Sequence, residues 1–232
     1  MPPLRDGERE WLGGAQRLQY RKAGRLVWDQ SYGTGLVDAC PPTLQSHGGV
    51  EHLLVAGTWL RGVGAEQGQF TSLVAVDPET GEEQFRVPVA GVSAPPTVTD
   101  GVAYVVGQWR EVIAVELATG RELWRERSQT ETAGLSYHDA QVGGGWSVCP
   151  AAVGRHVWTV NARGDLFGYD RHTGEARWVH AAAVPLNNRP VCPYAPTLAC
   201  APSGFTAERS GGDSLVFGWN GRRVADRAGA LL

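Results

Sequence analysis

One phrase written three times constrains this chain more than anything else in it. Ala75-Val-Asp77-Pro-Glu-Thr80-Gly81-Glu-Glu-Gln-Phe85 is matched by Ala114-Val-Glu116-Leu-Ala-Thr119-Gly120-Arg-Glu-Leu-Trp124, and both by Gly168-Tyr-Asp170-Arg-His-Thr173-Gly174-Glu-Ala-Arg-Trp178. Weaker copies stand at Gly24-Arg-Leu-Val-Trp28 and Trp219-Asn-Gly221-Arg-Arg-Val224. The turn glycines at 24, 81, 120, 174 and 221 are 57, 39, 54 and 47 residues apart. A unit of about 40 residues that recurs with insertions is a small supersecondary element, and such elements bury their apolar faces against their neighbours.

Each copy reads as a β-hairpin. An alternating run such as Leu73-Val-Ala-Val76 makes one strand, Asp77 to Gly81 make the turn, and a second strand ends on an aromatic four residues after the glycine. An Asp side chain bonds turn amides and glycine accepts positive φ, which explains the residue types. A second signal precedes each phrase: Cys40-Pro-Pro-Thr-Leu44, Ala94-Pro-Pro-Thr-Val98, Cys149-Pro-Ala-Ala-Val153 and Ala195-Pro-Thr-Leu198 each lead into a turn and another apolar strand. Four strands a to d follow for one unit, near 95 to 99, 102 to 107, 111 to 116 and 121 to 126. Gly 31, Pro 14 and Trp 9 in a chain only 19% charged agree with many short strands and tight turns. The expected fold is all-β, a single propeller domain over 1–232 with four-stranded antiparallel blades near 9–31, 41–88, 94–127, 149–181 and 195–226. That makes about five blades, four nearly complete and one partial.

The pattern resembles the pyrroloquinoline quinone (PQQ) type, or quinoprotein-like, β-propeller repeat, with its Ala-x-Asp-x-x-Thr-Gly-x-x-x-Trp signature, from about residue 24 to 226. The resemblance implies that the signature's Trp and Gly dock neighbouring blades, so Trp28, Phe85, Trp124 and Trp178 are expected to be structural. Members of that family usually have seven or eight blades, more than this length supplies. Two readings stay open. In one, residues 9 to 31 give strands b, c and d of a blade whose strand a is Gly229-Ala-Leu-Leu232, closing a five-blade ring. In the other, the chain is an open arc of a larger propeller, with self-association through the open ends.

The resemblance also raises a cofactor enzyme as a possibility. Its dehydrogenases hold PQQ with a disulfide between adjacent cysteines, a stacked Trp and a Ca²⁺ bound by Glu, Asn and Asp. Cys40, Cys149, Cys192 and Cys200 include no adjacent pair, and their spacing fits no zinc signature. His138-Asp139 lacks a recognisable nucleophile motif, and Gly143-Gly-Gly145 lacks a phosphate-loop context. The expectation is no catalytic, cofactor or metal residue. The alternative is a small-ligand or cofactor-binding enzyme or sensor with its site at the central channel. A net charge of −3 argues against nucleic acid, and no stretch is long and apolar enough for a membrane helix. With Met1 as the natural start, the N-terminus has no apolar signal region, and a cytoplasmic protein with reduced thiols is expected.

One asymmetry rises above this background. The c–d turns are uniformly tight, whereas the insertions, near Asp29 to Ala39, Trp59 to Phe70, Arg125 to Val148 and Val179 to Tyr194, fall on d–a and b–c connections. In a blade these emerge on one face, and insertions gathered on one face of a repeat array often form its binding side. Trp59, Arg61, Trp109, Arg110 and Arg163 lie at or near successive b–c turns. Trp and Arg dominate interface hot spots, so the expected function is a non-enzymatic scaffold that binds a protein or peptide partner there.

Overall fold

The structure, a computed structural model, describes residues 3–13, 17–30, 35–39, 42–61, 68–89, 95–107, 111–127, 150–160, 166–180, 198–201, 204–208, 214–218 and 223–226. All secondary structure among them is β. Sheet 1 is β1 (Leu4–Asp6), β2 (Arg9–Gly13), β3 (Leu18–Lys22) and β4 (Arg25–Gln30) in sequence order. Sheet 2 contains β5 (Gly35–Ala39), β6 (Thr43–His47), β7 (Val50–Arg61), β8 (Gly68–Val76) and β9 (Glu83–Pro88). Sheet 3 is β10 (Thr97–Thr99), β11 (Val102–Val106), β12 (Glu111–Glu116) and β13 (Glu122–Arg127). Sheet 4 is β14 (Ala151–Val153), β15 (His156–Val160), β16 (Leu166–Asp170) and β17 (Ala176–His180). Sheet 5 is β18 (Leu198–Ala201), β19 (Gly204–Glu208), β20 (Ser214–Gly218) and β21 (Arg223–Asp226). Every pairing is antiparallel, and all but β5 with β7 join strands consecutive in sequence, as hairpins do.

Strand alternation explains how the sheets stack. Successive side chains point to opposite faces, so a strand buried on both faces is a continuous apolar run. In sheet 2, Leu53, Val55, Val74 and Val76 pack toward sheet 1 with Trp11, Tyr20 and Trp28. The intervening Leu54, Ala56, Leu73 and Ala75 pack toward sheet 3 with Ala103, Val105, Ile113 and Val115. Sheet 3 then turns Tyr104, Val106, Val112 and Ala114 toward Val157, Phe167 and Tyr169 of sheet 4. The core is therefore a series of seams between neighbouring blades, with no single centre.

The Thr-Gly phrase forms an interlock at each of these seams. Asp77 Oδ1 accepts the amides of Glu79 and Thr80 at 2.8 and 2.9 Å, and Gly81 N donates to Asp77 O at 2.8 Å. Asp170 repeats this with His172 and Thr173. Gly81, Gly120 and Gly174 have φ of 75°, 71° and 75°. A Cβ on them would stand 2.8 Å from Trp28, 2.4 Å from Phe85 and 2.7 Å from Trp124 respectively, each belonging to the preceding sheet. Trp28 Nε1 donates to Pro78 O at 3.2 Å, and Trp124 Nε1 to Arg171 O at 2.9 Å, the same turn position in both cases. Trp178 has its side chain outside the described residues.

A bulge aims each aromatic. The c–d register shifts between Tyr20/Arg21, Ala75/Val76, Ala114/Val115, Gly168/Tyr169 and Val216/Phe217. The extra residue re-sets the facing of the strand after it. The aromatics Phe85, Trp124 and Trp178 consequently lie opposite Ala75, Ala114 and Gly168, the small residue that opens the phrase.

Glycine substitution separates backbone strain from close approach. Gly24 has φ of 77° but nothing within 4 Å of an added Cβ among the described residues. Gly24→Ala should therefore cost about 1 kcal/mol, from the left-handed backbone alone. Gly174→Ala adds a clash with Trp124 and should cost about 2–3 kcal/mol. Urea denaturation of both variants checks this, and equal midpoints would remove the interlock as the reason for glycine at position 174.

Two boundaries differ from the sequence expectation. Sheet 1 starts at Leu4 instead of residue 9: its strand a is β1, with Leu4 opposite Trp11, so the position reserved for Gly229 to Leu232 is filled from the N-terminal side. Residues 229–232 lie outside the described residues. In sheet 2, the stretches read as insertions at 29 to 39 and 59 to 70 contain strand. Trp59 pairs with Phe70 on one side and Leu36 on the other, because β5 joins the far half of β7 while β6 takes the near half. The Pro41-Pro42 break between β5 and β6 hid this split, since prolines read as the end of a strand.

Candidate partner-binding face

The strand order puts the a–b and c–d turns of every blade at one end of the stack and the b–c and d–a connections at the other. The first end is tied across its seams. Arg9 pairs with Glu51 at 2.6 Å, approaches Glu79 at 3.5 Å and also contacts Asp6. Its guanidinium lies 5.2 Å from the Trp11 ring. Tyr20 donates its hydroxyl to Glu79 at 3.0 Å. Burial and then this carboxylate push the Tyr20 phenol up to about 12. At the next seam the His47 ring sits over Gly101, where a Cβ would meet it at 2.4 Å. Arg171 bonds Asp100 at 2.6 Å and Tyr104 Oη at 3.2 Å, so sheet 4 reaches back to sheet 3.

Asp170 at this end is held by a guanidinium and two turn amides. The Arg155 guanidinium at 2.7 Å, helped by the turn amides, keeps its carboxyl well below the usual range against the opposing effect of burial. The folded state thus favours the ionised form. Its stabilising contribution is complete above the ordinary Asp value near about 4 and is lost as pH falls toward the depressed folded value. Urea midpoints should stay level from about pH 6 to 5 and fall below about pH 4. Asp170→Asn should begin lower and fall less steeply, and an equally steep acid limb in the variant would remove Asp170 as its source.

The other end carries the predicted residues. Trp59 and Arg61 lie on the distal half of β7, with Arg61 opposite Gly68 at the last described pair of the β7–β8 hairpin. Their side chains lie outside the described residues. Trp109 and Arg110 fall between β11 and β12, where Gly107 N donates to Glu111 O at 2.9 Å across the connection. Arg163 falls between Val160 and Leu166, the last pair of β15 and β16. Trp109, Arg110 and Arg163 are themselves outside the described residues. What the backbone establishes is that the b–c ends bearing all five belong to consecutive sheets 2, 3 and 4.

Sequence reasoning missed a buried ion pair beneath one of these connections. Glu111 is fully buried, and its carboxylate meets Arg125 Nη1 at 2.7 Å. Arg125 also pairs with Glu122 at 2.6 Å and donates to Pro88 O at 2.9 Å, reaching from sheet 3 to sheet 2. The available signal was a carboxylate opening the apolar run Val112-Ile-Ala-Val115, where a charge needs a partner.

The PQQ site fares differently. Among the described residues no three His, Cys, Asp or Glu side chains converge to hold a metal ion, and the cysteines include no adjacent pair. The donor set that the cofactor needs is not assembled among the described residues.

Comparison with known proteins agrees with this architecture. The chain is 34% identical over 94 residues to the quinohemoprotein alcohol dehydrogenase ADH IIB of Pseudomonas putida, a match covering 38% of this chain and 12% of that protein. BamB from Moraxella catarrhalis superposes with a TM-score of 0.62 at 15% identity, over 97% of this chain and 59% of that one. A europium-containing methanol dehydrogenase superposes at 0.61 and 14% identity, over 97% of this chain and 50% of that one. BBS1N, solved in complex with ARL6DN, gives 0.56 at 12% identity, over 94% of this chain and 63% of that one. The chain thus spans between half and two thirds of the length of these three structures, and the likeness is one of fold. Residues 18–194 match the family described as outer membrane protein assembly factor BamB, PQQ_2. With the three Thr-Gly interlocks and the stacked four-stranded sheets, this places the chain in that family of PQQ-type β-propeller repeat proteins.

Proposed function

We propose that this chain is a non-enzymatic propeller scaffold that binds a protein or peptide partner through its b–c and d–a face. Trp59, Arg61, Trp109, Arg110 and Arg163 supply the principal contacts. The observation that carries the reading is the contrast between the two ends. One end is tied by seam-crossing ion pairs and tight turns. The other bears the three-stranded extension β5–β7–β8, which carries Trp59 and Arg61. A strand-built platform holds binding residues more firmly than a loop does. The description of the matched family as an assembly factor, and the BBS1N neighbour solved with ARL6DN, support a protein partner.

Replacing Arg61 and Arg110 together with alanine should weaken partner binding at least about tenfold, because hot-spot truncations typically cost ~2 kcal/mol. Stability should stay within about 0.5 kcal/mol, the usual scale for surface changes. Glu8→Lys with Glu82→Lys, at exposed turns of the opposite end, is the control. Glu79 is unsuitable because Tyr20 and Arg9 engage it. Binding lost in the control and kept in the arginine pair reverses the face assignment.

The similarity to a quinohemoprotein dehydrogenase favours a second reading, a cofactor site at the central channel. Addition of PQQ with Ca²⁺ separates the two. The scaffold predicts unchanged tryptophan fluorescence, and the cofactor site predicts saturable quenching.

A further inference from the structure

Sheets 2, 3 and 4 each receive an aromatic ring from the sheet before them onto a turn glycine. A junction of sheet 5 with sheet 1 would have neither half of that joint. The register of β20 and β21 sets Ala225 opposite Val216. That is the position at which Phe85, Trp124 and Trp178 stand opposite Ala75, Ala114 and Gly168. Sheet 5 therefore has alanine at the register position where the other sheets have an aromatic residue.

Sheet 1 lacks the receiving half. Its c–d turn is the two-residue Ala23-Gly24, with φ of 48° and 77°, in place of the longer Asp-x-x-Thr-Gly turn. It has no counterpart of the Pro78 and Arg171 carbonyls that accept an indole N–H in sheets 2 and 4. Among the described residues nothing lies within 4 Å of where a Gly24 Cβ would stand.

The outward face of sheet 1 is also of a different kind. Its inward face presents Trp11, Leu18 and Tyr20, all within 3% of full burial. Alternation puts Arg5, Glu10, Leu12, Gln19 and Arg21 on the other side. Arg5 pairs with Glu10 at 2.8 Å, while Asp29 binds Arg17 at 2.9 Å and Gln19 at 3.0 Å. The corresponding faces of sheets 2 and 3, those turned toward the preceding sheet, are Leu, Val, Ile and Ala. Seating another blade on these ion pairs would strip water from them without an apolar surface in return. In repeat arrays a polar outer face marks the terminal, capping unit.

We propose that the outward face of sheet 1 is the water-facing end of the blade stack, on which sheet 5 does not seat, so that the five sheets form an open arc. This inference is independent of the partner-binding reading, because it concerns the other axis of the molecule.

Hydroxyl-radical footprinting of the unaltered chain, read residue by residue by mass spectrometry, tests it without a variant that has to fold. Leu12 reports the outward face, Leu26 is the exposed standard and Leu53 the buried one. Leu12 should oxidise within about tenfold of Leu26 and well above Leu53, at every protein concentration, since only opening reactions expose a seam residue. Leu12 protected to the level of Leu53 at all concentrations means that a blade covers the face and overturns the proposal. Protection that appears only at high concentration, with a doubled mass by light scattering, means that a second copy covers it and overturns the water-facing assignment.

Discussion

Trp124→Ala should lower stability by about 3–5 kcal/mol, the range for large buried aromatics. The ring is 92% buried, rests on Gly174 of the next sheet, and donates its indole N–H to Arg171 O at 2.9 Å. Tyr104 and Tyr169 flank it at centroid distances of 6.1 and 6.4 Å. Truncation opens a cavity between sheets 3 and 4 and leaves the carbonyl and both tyrosines without their neighbour. Phenylalanine at 124 should recover most of the loss, because the ring fills the space while only one hydrogen bond is missing. Equilibrium denaturation reads both variants. An unchanged midpoint for the alanine variant would mean that the seam does not depend on the interlock.

Arg125→Met should cost about 3 kcal/mol, near the lower end for breaking a buried ion pair. Methionine preserves much of the aliphatic stem, so the loss reports the charge. It takes the guanidinium away from the Glu111 carboxylate, which has no exposed surface, and removes the bond to Pro88 O on sheet 2. The lower end applies because Arg125 itself keeps 29% of its side-chain surface in water. Changing both partners, Glu111→Gln with Arg125→Met, should restore part of the loss, since the double change no longer keeps a buried carboxylate without its guanidinium, and the Glu122 carboxylate that also loses Arg125 is partly exposed. If the double variant is as unstable as the sum of the singles, the pair is not coupled in the way its geometry indicates.

Much of the fold was legible because the repeat states its own chemistry. Asp77, Thr80, Gly81 and Phe85 each have a local job in turn or seam, so their spacing identifies the hairpin and the docking aromatic before any coordinates. The four strands of sheet 3 fall within two residues of the sequence reading. The bulges were not legible, because the extra residues Val27, Gln84, Leu123 and Arg177 share no side-chain type. Nor was β5, whose Gly35-Leu-Val-Asp-Ala39 is short and separated by prolines from the strand it extends. The pair Glu111 and Arg125 escaped for another reason. Its members sit on the two arms of the c–d hairpin, far apart in sequence, and the register, with Glu111 opposite Arg127 and Ile113 opposite Arg125, makes them diagonal neighbours.

The grouping of the five proposed contact positions at one end follows from connectivity and not from side-chain geometry. In a meander of four antiparallel strands, a–b and c–d turns must leave one end and b–c and d–a connections the other. Insertions at 62–67, 128–149 and 181–197 therefore share an end with Arg61, Arg110 and Arg163 once the strand limits are fixed. Tight turns bound by Asp77 and Asp170, with Arg9 and Arg171 spanning seams, leave the opposite end committed to holding the blades together.

Site-specific photo-crosslinking on the intact chain in its source cells tests this most directly. A photoreactive residue is placed in turn at Trp59, Arg61, Trp109, Arg110 and Arg163, and at Glu8, Glu82 and Ala118 on the opposite turns. Adducts with one recurring protein should form from the first five positions and not from the last three. Adducts that form only from positions 8, 82 and 118, or equally from both ends, would contradict it.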